Sequence, residues 1–220
     1  MSKAWRPACL ALALLCANVP ALASEGSEQQ WIAAARHAVA FGKAHGLDIV
    51  MEVEQGNGLS GHTPVGVWNE NGRCTLVVSV RGNPTARRLE AMIDPPLLEL
   101  FLQGAAMHEV GHCYRRLNGY PHNEKLLPVV AWIGPVRDWF MRRIRTEEAF
   151  ADMTEIAWLA RYHPERFDAM VEQIQRVRRR FLEPKHDTLA WLEGARRDGA
   201  MDEDGNNIFT LASRRMLRYQ

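Results

Sequence analysis

The sequence predicts an α+β domain, with a small antiparallel sheet early in the chain and a mostly helical remainder. Two observations carry this. Residues 47–80 hold short, alternating, β-branched runs around an Asn71-Gly72 turn signal, and from Leu97 onward apolar residues recur at helical spacing. Strands do not alternate with helices along the chain, which argues against a wound parallel sheet. A length of 220 residues, 47% of them hydrophobic, suits one domain with a sizeable core.

Lys3 and Arg6 give a basic start, Ala8 to Val19 is apolar, and Ala21-Leu22-Ala23 offers small residues for cleavage before Ser24. Residues 1–23 therefore read as a secretory signal, leaving 24–220 as a single domain in the periplasm or outside the cell. The apolar stretch falls short of the roughly 18 residues a spanning helix needs, so no transmembrane segment is expected after cleavage. Leu15, directly before Cys16, fits poorly the small residue that lipidation takes.

Glu25 to Gln30 is a polar lead. Trp31 to His45 has helical spacing and stops at Gly46. Leu47 to Glu54 alternates as a strand, and Gln55 to Thr63 is a Gly-, Asn- and Ser-rich loop. Val65 to Trp68 and Cys74 to Val80 flank Asn69-Glu70-Asn71-Gly72, a hairpin signal in which Asn-Gly supplies the positive-φ positions. Arg81 to Pro84 breaks the sheet, and a short helix is expected before Asp94-Pro95-Pro96. The next helix starts near Pro96, where proline is tolerated, runs to about Leu117 and ends at Asn118-Gly119.

Leu126 to Val136 is apolar but holds Pro128, Gly134 and Pro135, so a long straight helix is not expected there. The stretch is either core or a loop lining a cleft. Thr146 to Tyr162 forms a helix with Thr146 as a candidate N-cap. Glu165 to Phe181 and Thr188 to Arg197 are amphipathic, and the tail from Ile208 is a short basic helix. Met201 to Asn207 is an acidic loop. Ser213 stands where a calcium loop would need its final Glu, so calcium is not expected.

The chain has 27 basic and 26 acidic side chains, and losing Lys3 and Arg6 with the signal leaves a balance of one negative charge. Nothing in that balance suggests nucleic acid. The runs Arg142, Arg143, Arg145 and Arg176, Arg178, Arg179, Arg180 read as solvated helix faces. After cleavage only Cys74 and Cys113 remain. Either they form a disulfide, as an exported chain permits, or Cys113 is a small buried residue that Cys74 never meets.

Chemistry is concentrated at His108-Glu109-Val110-Gly111-His112. On a helix, residues four apart share a face. His108 and His112 can therefore aim ring nitrogens at one ion, with Glu109 beside it as a base towards bound water. The surrounding Leu100, Phe101, Ala105, Ala106 and Val110 are apolar, and ionisable groups in such a helix need a reason to be there. A hydrogen-bonded pair of core histidines is the alternative. A zinc site needs a third protein ligand and an acceptor behind a ligand histidine. Glu148 and Asp152, one turn apart on the Thr146 helix, meet both needs.

His108-Glu109-x-x-His112, followed 36 positions later by Glu148-x-x-x-Asp152, resembles the gluzincin pattern of zinc metallopeptidases, shared by thermolysin-like and Ste24-like enzymes. The likeness covers two helices. It implies a zincin-like domain in which His108, His112 and Glu148 hold Zn2+. Glu109 would be the general base and Asp152 would orient a ligand histidine, His108 for preference. The metzincin pattern is excluded, because Arg115 and Asn118 stand where it needs Gly and His.

Glu147, His122 and Glu124 are weaker candidates for the third ligand. Tyr120, His122, Tyr162 and His163 are candidates for stabilising an oxyanion. If Cys74 to Val80 is the sheet edge beside the cleft, an extended peptide could pair with it. The expected function is an exported zinc peptidase acting on peptides or proteins. A zinc-binding envelope protein without turnover and a metal-free binding module are the alternatives.

Overall fold

The computed structural model describes residues 20–54, 63–120, 134–181, 184, 186–200 and 207–219. The expectations for the signal up to residue 19, the 55–62 loop, His122, Glu124, residues 126–133 and the acidic loop at 201–206 lie outside them. The chain is α+β, as its sequence predicts. Helix α1 (Pro20–Ala44) leads into β1 (Ile49–Val53), β2 (Val65–Glu70), β3 (Arg73–Val78) and the short α2 (Pro84–Glu90). A 3-10 turn at Pro95–Leu97 opens α3 (Leu98–Leu117). Helices α4 (Gly134–Tyr162), α5 (Phe167–Arg180), α6 (Leu189–Asp198) and α7 (Ile208–Arg218) complete it.

The hairpin forms at the expected place. Asn71 and Gly72 adopt φ of 52° and 78°, and Glu70 pairs with Arg73 across the turn. The sheet, however, is mixed rather than antiparallel throughout. Its order is β1-β3-β2, and β1 runs parallel to β3, Ile49 opposite Cys74. Helix α1 packs against both β1 and β3. With β2 already on one side of β3, β1 takes the other.

This order removes β3 as the edge for an incoming peptide. The edge towards α3 belongs to β2. Ser79 N–H donates to the Pro64 carbonyl, which makes 64/79 a bonded pair. Bonded and non-bonded pairs alternate, so the backbone groups of Val65, Val67 and Asn69 face away from β3. Arg116 of α3 donates to one of them, the Val67 carbonyl.

Two helix starts differ from expectation. Helix α1 begins at Pro20, so residues 25–30 are helical rather than a lead. Helix α4 begins at Gly134 with Pro135 in its first turn, where a missing N–H costs nothing. Thr146 therefore lies inside the helix instead of capping it, its hydroxyl donating to the Arg142 carbonyl.

Helix α3 packs against α1, the sheet and α4, and α4 packs in turn against α5, α6 and α7. The middle of α4 is consequently covered on all sides: residues 147–160 are buried without interruption, polar ones included. Polar groups there need partners, and Glu147, Glu148 and Asp152 find them at the site. Cys74 of β3 and Cys113 of α3 form a disulfide with Cα atoms 5.6 Å apart. It anchors the residue after His112 to the middle strand.

Candidate metal centre

Two helices supply the donors. On α3, His108 and His112 lie one turn apart with buried rings, their Nε2 atoms 3.1 Å from each other. On α4, Glu148 places Oε2 3.6 Å from His108 Nε2 and Oε1 3.6 Å from His112 Nε2. The three side chains thus form a buried group able to hold a metal ion.

Gly111 makes the approach possible. A Cβ there would lie 3.0 Å from the Ala151 Cα and 2.8 Å from Thr154 Oγ1. Any larger residue at the crossing would push α4 and its carboxylate outwards.

Each imidazole is held from behind. Asp152 Oδ1 lies 2.8 Å from His108 Nδ1, and Glu147 Oε1 lies 3.3 Å from His112 Nδ1. With the Nδ1 protons directed at carboxylates, both Nε2 lone pairs face the same point. In neutral rings, two lone pairs 3.1 Å apart repel unless a cation lies between them, and in the metal-free protein a proton on His112 takes that place. Glu147 was a weak candidate for third ligand; it stands instead behind His112, with Arg115 Nε 2.5 Å from its other oxygen.

Asp152 is fully buried and carries more than one partner. Arg178 donates to both its oxygens, its Nε at 3.1 Å from Oδ2, and the Thr188 hydroxyl donates to Oδ2. Burial opposes its charge, but Arg178 and the His108 hydrogen bond hold the carboxyl far below the usual range. Asp152 also groups with His108 and Glu155 as a second set of donor atoms. Its oxygens are already taken by Arg178, Thr188 and His108, so that set is not a second metal site.

Glu148 is likewise lowered: burial opposes ionisation, and His112, His108, Arg178 and His186 outweigh it. Burial raises Glu109, with His112 and His108 working against it. For His112, burial opposes the charge. The Glu147 hydrogen bond with Glu148 and Glu109 overrides it and pushes the ring up to about 9. Glu109 makes no hydrogen bond with any described residue, although only 9% of it is exposed.

Arg178, Thr188 and His186 were not singled out as site residues. Arg178 belongs to a run expected to be solvated, yet its side chain is only 19% exposed. The signal was present: Arg178 lies four and seven residues after the buried Ile174 and Val171, in phase with the core face of α5. Thr188 and His186 lie in the connection before α6, with His186 Nε2 3.7 Å from Glu148 Oε1. No sequence pattern marks them.

Tyr162 and His163 lie 14 and 15 residues past Glu148 at the far end of α4, about 20 Å along the helix, too far to serve as oxyanion donors. Tyr120 is half-exposed and stacks on Arg115. Comparison with protein-family models, curated proteins and solved structures finds no match to this chain.

Proposed function

We propose that the chain is a zinc-dependent hydrolase of peptide bonds, with His108, His112 and Glu148 as ligands and Glu109 as general base. The observation that carries this reading is the convergence of both Nε2 atoms and the Glu148 carboxylate on one point, with Glu109 beside it and without a hydrogen bond to any described residue. Four donors set tetrahedrally at zinc distances of 2.0–2.1 Å are about 3.3–3.4 Å apart. The Nε2 atoms 3.1 Å apart, each with a different Glu148 oxygen at 3.6 Å, lie close to that spacing. Three protein ligands leave a fourth position open, as in catalytic rather than structural zinc sites.

The ion would supply Lewis acidity, bringing the pKa of a bound water towards 7. The chain's residues do the rest. Glu109, its basicity raised by burial, takes the water's proton and passes it to the leaving amine. Asp152 and Glu147 keep the imidazoles in the tautomer that points Nε2 inwards. His186, with Nε2 3.7 Å from Glu148 Oε1, would be the donor to the developing oxyanion. The outward backbone groups of Val65 on β2, with the Val67 carbonyl already held by Arg116, offer an extended peptide a strand to pair with, beside the cavity that Val65, His108 and Glu109 help to line.

The Cys74–Cys113 disulfide supports export, since such bonds persist in oxidising compartments. No described helix is long and apolar enough to cross a membrane.

A zinc site without turnover is the competing reading. It has no use for a buried carboxylate that makes no hydrogen bond among the described residues. Glu109→Gln should retain zinc and lose on the order of 10²–10⁴ in cleavage rate on a peptide library. Full activity in that variant, or stoichiometric zinc in the native protein with no chelator-sensitive cleavage, would overturn the proposal.

A further inference from the structure

An apolar cavity of about 150 Å³ opens beside His108 and Glu109. A void of that size holds a benzene ring, so it has room for one amino-acid side chain. Leu89, Phe101, Ile174 and Val177 supply greasy walls, and Glu155 and Arg178 line it as well, the Arg178 guanidinium being held on Asp152. Glu155 is 4% exposed, and its Oε1 has no hydrogen-bond partner among the described residues. Space for the carboxyl is made by Gly104, one turn before His108 on α3, where a Cβ would run into Oε1.

An orphaned buried carboxyl costs stability. The charges acting on it, Asp152 and Arg178, are already paired with each other, so Glu155 has no counter-charge of its own among the described residues. Burial, with Asp152 adding and Arg178 opposing, pushes the carboxyl up to about 8. An apolar cavity with such a group in its wall suits an occupant with a hydrocarbon stem and a cationic head: the stem packs on the walls and the head satisfies the carboxylate.

Resting on the peptidase reading, we propose that Glu155 is a specificity-determining residue that selects a Lys or Arg side chain next to the scissile bond.

Two measurements test this, and they separate its failure from that of the peptidase reading. In the first, n-butylguanidinium and n-pentanol are titrated into the zinc-loaded protein and followed by NMR. Guanidinium stays charged and makes a poor zinc ligand, so affinity reports the pocket. The cation should bind at least about tenfold tighter than the alcohol, and Glu155→Gln should erase the difference while keeping zinc. Equal affinities in the native protein overturn the proposal even if the variant fails to fold.

In the second, a peptide library is cleaved by the native protein and by Glu155→Gln. Native cleavage should favour Lys or Arg at one position flanking the cut. The variant should lose that preference over Leu by on the order of 100-fold. Preference for Leu or Phe, unchanged in Glu155→Gln, overturns this proposal and leaves the peptidase reading intact. No cleavage of any peptide overturns the peptidase reading, and the binding measurement then decides on Glu155 as a cation site.

Discussion

Asp152 Oδ1 lies 2.8 Å from His108 Nδ1, on the opposite side of the ring from the nitrogen that faces Glu148. The same carboxylate accepts from Arg178 and Thr188, so one buried charge orients a candidate ligand and neutralises a buried guanidinium. Asp152→Ala should therefore cost about 3–5 kcal/mol, because it removes the carboxylate hydrogen-bonded to the buried Arg178 and leaves only the longer 3.9 Å pair with Glu148. Zinc affinity should fall about 10–100-fold as well. Urea denaturation and a chelator competition measure the two effects. Loss of affinity without loss of stability would show that the Arg178 pair is incidental.

The pH dependence has a definite sign. His112 is pushed up to about 9 in the metal-free protein by Glu147, Glu148 and Glu109 against the effect of burial. A folded value above the unfolded one of about 6.5 means that this charge stabilises the metal-free fold fully below about pH 6.5. That contribution is lost as pH rises through about 9. Zinc takes the neutral ring, so binding expels the proton and affinity should climb about tenfold per pH unit between about pH 6.5 and 9. Chelator competition across that range checks it. A flat profile would mean that His112 is already neutral when metal arrives.

Gly111 at the α3–α4 crossing has a measurable role. Alanine there meets the Ala151 Cα at 3.0 Å, and backbone cannot rotate away. The better helix propensity of Ala, worth up to about 1 kcal/mol, is outweighed by an overpacking cost of about 1–3 kcal/mol. Gly111→Ala should lower the melting temperature and weaken zinc binding together, because the displaced helix carries Glu148. Unchanged zinc affinity would show that the crossing does not set the site's geometry.

The disulfide closes a separation of 39 residues. Chain entropy assigns such a loop about 4 kcal/mol of stabilisation. Cys74→Ala with Cys113→Ala should lower unfolding stability by roughly 2–4 kcal/mol, read by denaturant titration, and added zinc should restore part of it by mass action. A double variant as stable as the native protein would show that α3 is fixed by packing alone.

Local signals made most of the elements legible in the sequence by itself. Asn71-Gly72 turns where positive φ is needed, Pro95-Pro96 opens α3, and Asn118-Gly119 closes it. Helical spacing placed His108 on one face with His112, and Glu148 on one face with Asp152, because four residues make about one turn. Tertiary structure decided the rest. That β3 lies between β1 and β2 depends on how α1 packs against the sheet, which no residue of β3 encodes. Likewise Glu147 behind His112, Arg178 on Asp152 and Glu155 in its cavity depend on crossings between α3, α4 and α5. A helix determines which residues share its face; only the surface packed against that face determines what they meet.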